Sequence, residues 1–188
     1  MLVGFIDFVD SVLPSVSPDL RDGAKDAILQ FEKKGHTLNY LTINKLQELS
    51  QGDILSNVPF TYFENDGRQC IFTADAMVIS TSCHIDQKKK LVLVPVFPLS
   101  SFTGSKVELQ KNKIFDYMYI PDVQMKDKFV DFSILCTYNK QLIMEGIKRG
   151  KINRVASLNQ LGYYFFIVKL TVYLMRKEDN DTLEERLG

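Results

Sequence analysis

Residues 75–101 read DAMVISTSCHIDQKKKLVLVPVFPLSS, and this stretch decides how the rest of the chain is read. Met77 to Ile79 and Leu91 to Phe97 are apolar runs rich in β-branched side chains, separated by a polar connection tipped with Lys88, Lys89 and Lys90. The pattern predicts two adjacent buried strands joined by a hairpin-like loop. The stretch also holds the densest cluster of reactive side chains: Cys83, His84 and Asp86 beyond the first strand, and Ser100 and Ser101 beyond the second.

Upstream, helical periodicity stops at Gly52-Asp53-Ile54 and short β-type segments begin, punctuated by Pro59, Asn65-Asp66-Gly67, Pro95, Pro98, Gly104 and Pro121. Candidate strands are Asp53 to Leu55, Phe60 to Phe63, Cys70 to Thr73, Met77 to Ser80, Leu91 to Phe97, Tyr117 to Ile120 and Phe129 to Thr137. Several short strands in roughly 90 residues fit a small barrel or sandwich.

Helices flank this region on both sides. Ser17-Pro18 is a helix start, Gly35 a stop, and Leu20, Ala24, Ala27, Ile28 and Phe31 share one stripe between them. Residues 1–13 read as a shorter helix or arm, and Thr42 to Leu49 as a short helix with Thr42 as its cap. A last helix is expected from Ser157, with Ser157 and Gln160 in the relation of a capping box. Leu161, Phe165, Val168, Val172 and Met175 form one apolar stripe of that helix; Phe166, Leu170 and Tyr173 form a second. Such a helix must be covered twice, by its own barrel and by either the N-terminal helices or a second subunit. The organisation is therefore α+β: residues 1–49 as an N-terminal helical extension packed on the barrel, and residues 50–188 as the barrel with its long C-terminal helix.

At 188 residues the chain buries a core without disulfide or metal staples, and 13 Phe and 8 Tyr supply bulky material where there is no Trp. Lysine and arginine number 23 and so do aspartate and glutamate; attraction to an anionic partner must come from a local patch. Three widely spaced cysteines, Cys70, Cys83 and Cys136, suit free thiols in a reducing cytoplasm. The start, MLVGFIDFVDSVL, lacks a positive n-region and is interrupted by Asp7 and Asp10, so it does not read as a signal peptide. Lys169 within the apolar run Tyr163 to Met175 argues for a core helix over a membrane span, and no membrane partner is expected.

In their order, Gly52-Asp53-Ile54, Ala76-Met77-Val78-Ile79-Ser80 and Leu93-Val94-Pro95-Val96-Phe97-Pro98-Leu99-Ser100-Ser101 resemble the bacterial MazF/PemK-like toxin family, over about residues 50–176. The resemblance implies an SH3-like β-barrel closed by a C-terminal helix, a homodimer, and metal-independent cleavage of single-stranded RNA by a cation near the first long loop and a hydroxyl at the end of the following strand. Ala74 and Asp75 stand where the family has an arginine, which leaves Arg68, on the Asp66-Gly67 turn, as the nearest replacement. Ser100 or Ser101 stands at the hydroxyl position, and His84 is the candidate to move protons. Ser80-Thr81-Ser82-Cys83 and the Leu158-x-x-Leu161-Gly162 helix start mark a divergent branch.

Each candidate has a plainer reading. Cys83, His84 and Asp86 form either a partial metal site or a buried thiol, an exposed histidine and a turn aspartate; the other histidine, His36, lies far off in the N-terminal segment. Lys148, Arg149, Lys151 and Arg154 are RNA-binding candidates around Gly150, or a solvated loop. Lys88 to Lys90 read as a solubilising tip. Tyr62, Phe63, Tyr117 and Tyr119 stack on bases if they face outward, and otherwise pack in the sheet. Asp131 reads as an outward strand position able to orient a base or bind a partner's arginine. Walker loops, dinucleotide fingerprints, HExxH, zinc-finger spacings and nucleophile elbows are missing, so no cofactor and no metal are expected. The readings that follow are a toxin-type protein acting on single-stranded RNA, as an endoribonuclease or a decayed relative, or alternatively a non-catalytic interaction module that binds an antitoxin-like protein in a toxin-antitoxin or phage-defence assembly.

Overall fold

Alternation along the central strands assigns their side chains to two faces. Ile54, Met77, Val94 and Ala156 enter one buried cluster, while their neighbours Leu55, Ala76, Val78 and Leu93 enter another. The computed structural model describes residues 18–34, 38–43, 46–121, 127–175 and 180–187; the expected arm at 1–13, Gly35 and His36 lie outside them. In chain order the elements are α1 (Pro18–Lys34), β1 (Leu41–Thr42), β2 (Asp53–Phe63), β3 (Gln69–Val78), α2 (Ser82–Gln87), β4 (Lys90–Pro98), α3 (Lys106–Gln110), β5 (Tyr117–Ile120), β6 (Lys128–Asp131), β7 (Cys136–Asn139), α4 (Lys140–Lys148), β8 (Asn153–Leu158), α5 (Gln160–Leu174) and α6 (Asn180–Leu187).

The architecture is α+β. Among the described residues the eight strands form one antiparallel sheet in the order β1-β8-β2-β3-β4-β6-β5, with β7 pairing β4 off this path, and the sheet does not close on itself. Between β7 and β8 lies α4, which touches both and buries Ile143 in the cluster that holds Leu55, Leu91 and Leu93. Beside the outer half of β2, the Tyr138 hydroxyl donates to the Pro59 carbonyl at 2.6 Å and the Cys136 thiol to the Thr61 carbonyl at 3.5 Å. Side chains there bridge where no ladder forms.

The central pair is adjacent and antiparallel as expected, but Cys70 to Thr73 and Met77 to Ser80 are one strand, β3, which ends at Val78, and its connection to β4 folds into α2. Several other expectations are corrected. Asp53 to Leu55 and Phe60 to Phe63 are one strand, β2, because a bulge with Asn57 at φ 60 absorbs the irregularity between them. Pro59 is tolerated there because β8 pairs only as far as Ser56, leaving an edge. Phe129 to Thr137 is two strands. Asp131 Oδ1 accepts the Ser133 N–H at 2.9 Å and its hydroxyl at 2.5 Å, which turns the chain between β6 and β7. The two strands pair different halves of β4, and Pro95, which has no N–H to donate, falls between Leu93, paired to β7, and Val96, paired to β6.

Thr42 belongs to the two-residue β1, and residues 46–49 are not helical. The segment before Gly52 therefore contributes to the sheet, with Leu38, Tyr40 and Leu41 in its core. Ser157 is not a helix cap; it is buried in β8, and Asn159 caps α5 by accepting the Gly162 N–H at 2.8 Å. Glycine is required at 162, since a Cβ there would stand 2.3 Å from the Tyr40 carbonyl oxygen. The sheet and α1 cover α5 on two sides within one chain, so its double apolar stripe does not require a second subunit.

The register of β2 and β8 rests on a buried ion pair. Asp53 is fully buried and the Arg154 side chain is 14% exposed; Arg154 Nη2 lies 2.8 Å from Asp53 Oδ2, which also accepts the Ser50 N–H at 2.8 Å. Ser157 Oγ donates to Asp53 Oδ1 at 2.5 Å, and Arg154 Nη2 also donates to the carbonyls of Leu46 at 2.9 Å and Glu48 at 3.1 Å. Asp53→Ala leaves a buried guanidinium without its counter-charge and is expected to cost about 3–5 kcal/mol, read as a lower urea midpoint with an unchanged slope.

Candidate functional site

The end of β4 carries an open concavity. Pro98 turns the chain into a short 3₁₀ turn, Leu99–Ser101, and Phe97, Ser101, Phe102, Thr103, Tyr117, Phe129 and Asp131 line an open pocket of about 310 Å³. Its aromatic walls form a contact chain: Phe97 lies 5.7 Å from Phe129, Phe102 5.4 Å from both Tyr117 and Phe129, and Tyr117 5.5 Å from Phe129. These rings belong to a small cluster closed by Leu109 of α3. Ser101 Oγ donates to the Pro98 carbonyl at 2.8 Å, which leaves its lone pairs outward.

Asp131 is 8% exposed and not the outward strand position expected from alternation. Burial raises its carboxyl above the usual range, the two Ser133 bonds pull it back, and the charge of Asp116 pushes it up again. The Tyr117 hydroxyl is raised too, by burial first and then by Asp131 and Asp116.

The segment between two of the pocket walls, residues 104–116, is held from behind by Lys169. This lysine on α5 is 7% exposed and donates to the carbonyls of Ile114 at 2.8 Å and Asn112 at 3.2 Å. On its other side Asn112 accepts the Tyr119 N–H at 2.7 Å, pinning the segment to β5. Lys106, Lys111 and Lys113 project from it as exposed cations.

The structure brings some of the expected site residues together and separates others. Ser101 lines the pocket, with Ser100 exposed beside it. Arg68 is exposed at the β2–β3 tip, 3.9 Å from Asp66. Its hairpin leans on the pocket through Phe72, whose ring is 5.7 Å from Phe97, and Arg68 lies four residues beyond Phe72, about 13 Å of extended chain. His84 is exposed on α2, at the opposite end of β4 from Ser101, about 30 Å along the strand. Thus Arg68 and Ser101 share one end of the sheet and His84 occupies the other.

Ser80 of the strand-end motif is structural, accepting the Val92 N–H at 2.8 Å. Cys83 is exposed, unlike the buried thiol of the plainer reading, with its sulfur 3.2 Å from Thr81 Oγ1. Lys140 donates to the Ile85 carbonyl at 2.7 Å and to that of Asp86 at 3.3 Å, capping α2. Among the described residues no group of three or more His, Cys, Asp or Glu could hold a metal ion. Asp75, at the position where an arginine was expected, is paired with Lys128.

Of the four basic candidates, Arg154 is committed to Asp53, while Lys148, Arg149 and Lys151 are exposed around Gly150. Arg149 pairs with Glu145 at 3.4 Å. Their turn leads into β8, near the other edge of the sheet from β5 and β6, so they do not join the pocket. Tyr119 is core, Tyr117 lines the pocket, and Phe63 is 69% exposed on the hairpin. Reading the sequence missed Phe97, Phe102, Phe129, Lys106, Lys111 and Lys113; aromatic residues on both sides of Ser100-Ser101 were the available signal.

No helix among the described residues is long and apolar enough to cross a membrane. The chain matches no protein-family model and no curated protein sequence.

Burial lowers the Lys169 ammonium from its ordinary value to about 8, with Asp116 opposing. The folded state releases this proton before the unfolded state does, so the lysine's contribution to stability rises as pH climbs from 8 towards its ordinary value. Denaturant titrations of wild type minus Lys169→Met are expected to show a relative gain on the order of 2 kcal/mol between about pH 8 and about pH 10.

Proposed function

We propose that the chain is a MazF/PemK-like protein that acts on single-stranded RNA, its sheet a variant of the SH3-like barrel in which α4 takes a stave's place between β7 and β8. The observation that carries the reading is the pocket at the end of β4, where aromatic rings and the Ser101 hydroxyl occur together, with exposed lysines on the chain segment that joins two of its walls. An unpaired base stacked on such rings gains about 1–3 kcal/mol. Lys106, Lys111 and Lys113 on one side and Arg68 on the hairpin supply the phosphate contacts that a chain of zero net charge must place locally.

Cleavage in this site needs the ribose 2′-oxygen to give up its proton to water and form a bond to the adjacent phosphorus, as the bond to the 5′-oxygen breaks and that oxygen takes a proton from water, with charge stabilised on the phosphate. In this reading Arg68 takes the phosphate and Ser101 positions it, while His84 stays outside the arrangement.

A second reading, the interaction module that binds a partner protein, is favoured by the exposed apolar side chains of the β2–β3 hairpin, where Phe63 is 69% and Ile71 72% exposed. Incubation with end-labelled single-stranded RNA in EDTA separates the two. Wild type is expected to cut, with Arg68→Ala and the double change Ser100→Ala, Ser101→Ala each slower by roughly a hundredfold. RNA that is neither cut nor retained at any protein concentration would shift the assignment to the interaction module.

A further inference from the structure

We propose that the pocket at the end of β4 is a guanine-selective base site, with the Asp131 carboxylate as the group that reads the base; the inference rests on the RNA reading above. The charged group in its lining is a carboxylate, and its geometry is one-sided. Both Ser133 donors fall on Oδ1, so Oδ2 is left to the pocket. The Ser101 hydroxyl proton is directed at the Pro98 carbonyl, so this group too offers lone pairs.

A ligand edge facing Asp131 Oδ2 must bring N–H donors. On the Watson–Crick edge guanine presents two adjacent ones, N1–H and the 2-amino group, which can share the two lone pairs of Oδ2. Adenine, cytosine and uracil each set a lone-pair atom beside their donor, and that atom would face the carboxylate. Single-stranded RNA is read on this edge once a base is unstacked, and the rings of Phe97, Phe102 and Tyr117 supply stacking surface for a purine. The carboxylate of the lining and the lysines of residues 104–116 are compatible because they would meet different parts of a nucleotide. Asp131 meets the neutral base, while Lys106, Lys111 and Lys113 stand on the segment that joins the pocket walls.

The test is fluorescence anisotropy near neutral pH with labelled oligouridine heptamers that carry G, A, C or U at the centre. The wild-type protein is expected to bind the G heptamer about tenfold more tightly than the other three, the discrimination of one good donor–acceptor pair. In Asp131→Asn the amide oxygen takes the place of Oδ1 under the Ser133 donors, and its NH2 turns to the pocket. That variant should lose the preference for G and favour the A and C heptamers, with unchanged thermal unfolding as the check on its fold. Equal binding of all four by wild type overturns the base assignment and leaves the RNA reading standing. Binding of none, with an arginine tripeptide perturbing the pocket's aromatic NMR signals instead, overturns both and assigns the pocket to a protein partner.

Discussion

The contact between Asp53 and Arg154 is the constraint from which the rest of the arrangement follows. A fully buried carboxylate is costly unless every oxygen is met, and here a guanidinium, a hydroxyl and a backbone N–H meet it. Those donors come from β8 and from the loop before β2, so the pair joins segments a hundred residues apart. By fixing β8 it fixes where α5 begins. From α5, Lys169 reaches the carbonyls of Asn112 and Ile114, and these shape the segment between two pocket walls. The pocket is thus tied to the Gly-Asp-Ile strand through the C-terminal helix as well as through β3 and β4 of the sheet.

A second constraint is the division of β4. A strand with one continuous partner on each side would have carried the sheet on towards closure. Pro95 removes a donor in the middle of this one, and the Asp131–Ser133 turn separates the partner into β6 and β7, which pair its two halves. One half is directed towards α4 and the interior cluster. The other, with β5, forms a small aromatic cluster of its own, and the pocket opens there. The same carboxylate that turns the chain also forms part of the pocket lining, which ties the site's chemistry to a feature the fold already needs.

Local pattern made the α+β class, the β3–β4 pair and the α5 helix legible, because alternation, β-branching and helical periodicity act over a few residues. It failed where a residue's role depends on a distant partner. Ser157 has the spacing of a cap, yet its hydroxyl serves Asp53, while the neighbouring Asn159 takes the cap. Arg154 reads as one of four surface cations, and only the return of β8 against β2 shows it to be a buried counter-ion. Of the candidate site residues, Ser101 lines the pocket and Arg68 lies on the hairpin at the same end of the sheet, whereas His84, close to Ser101 in sequence, lies a full strand away.

By itself the sequence determined that the central region is mostly strand, that β3 and β4 lie side by side, and that any attraction for an anion must be local, since 23 positive charges balance 23 negative ones. These properties depend on composition and on neighbours within a turn or a strand. The tertiary structure alone decided that Asp131 is buried, that Lys169 faces carbonyls, that the aromatic rings around Ser101 converge, and that Arg154 is paired while Lys106, Lys111 and Lys113 are exposed. Each of those depends on the desolvation and pairing of groups far apart in the chain, and no local pattern carries that information.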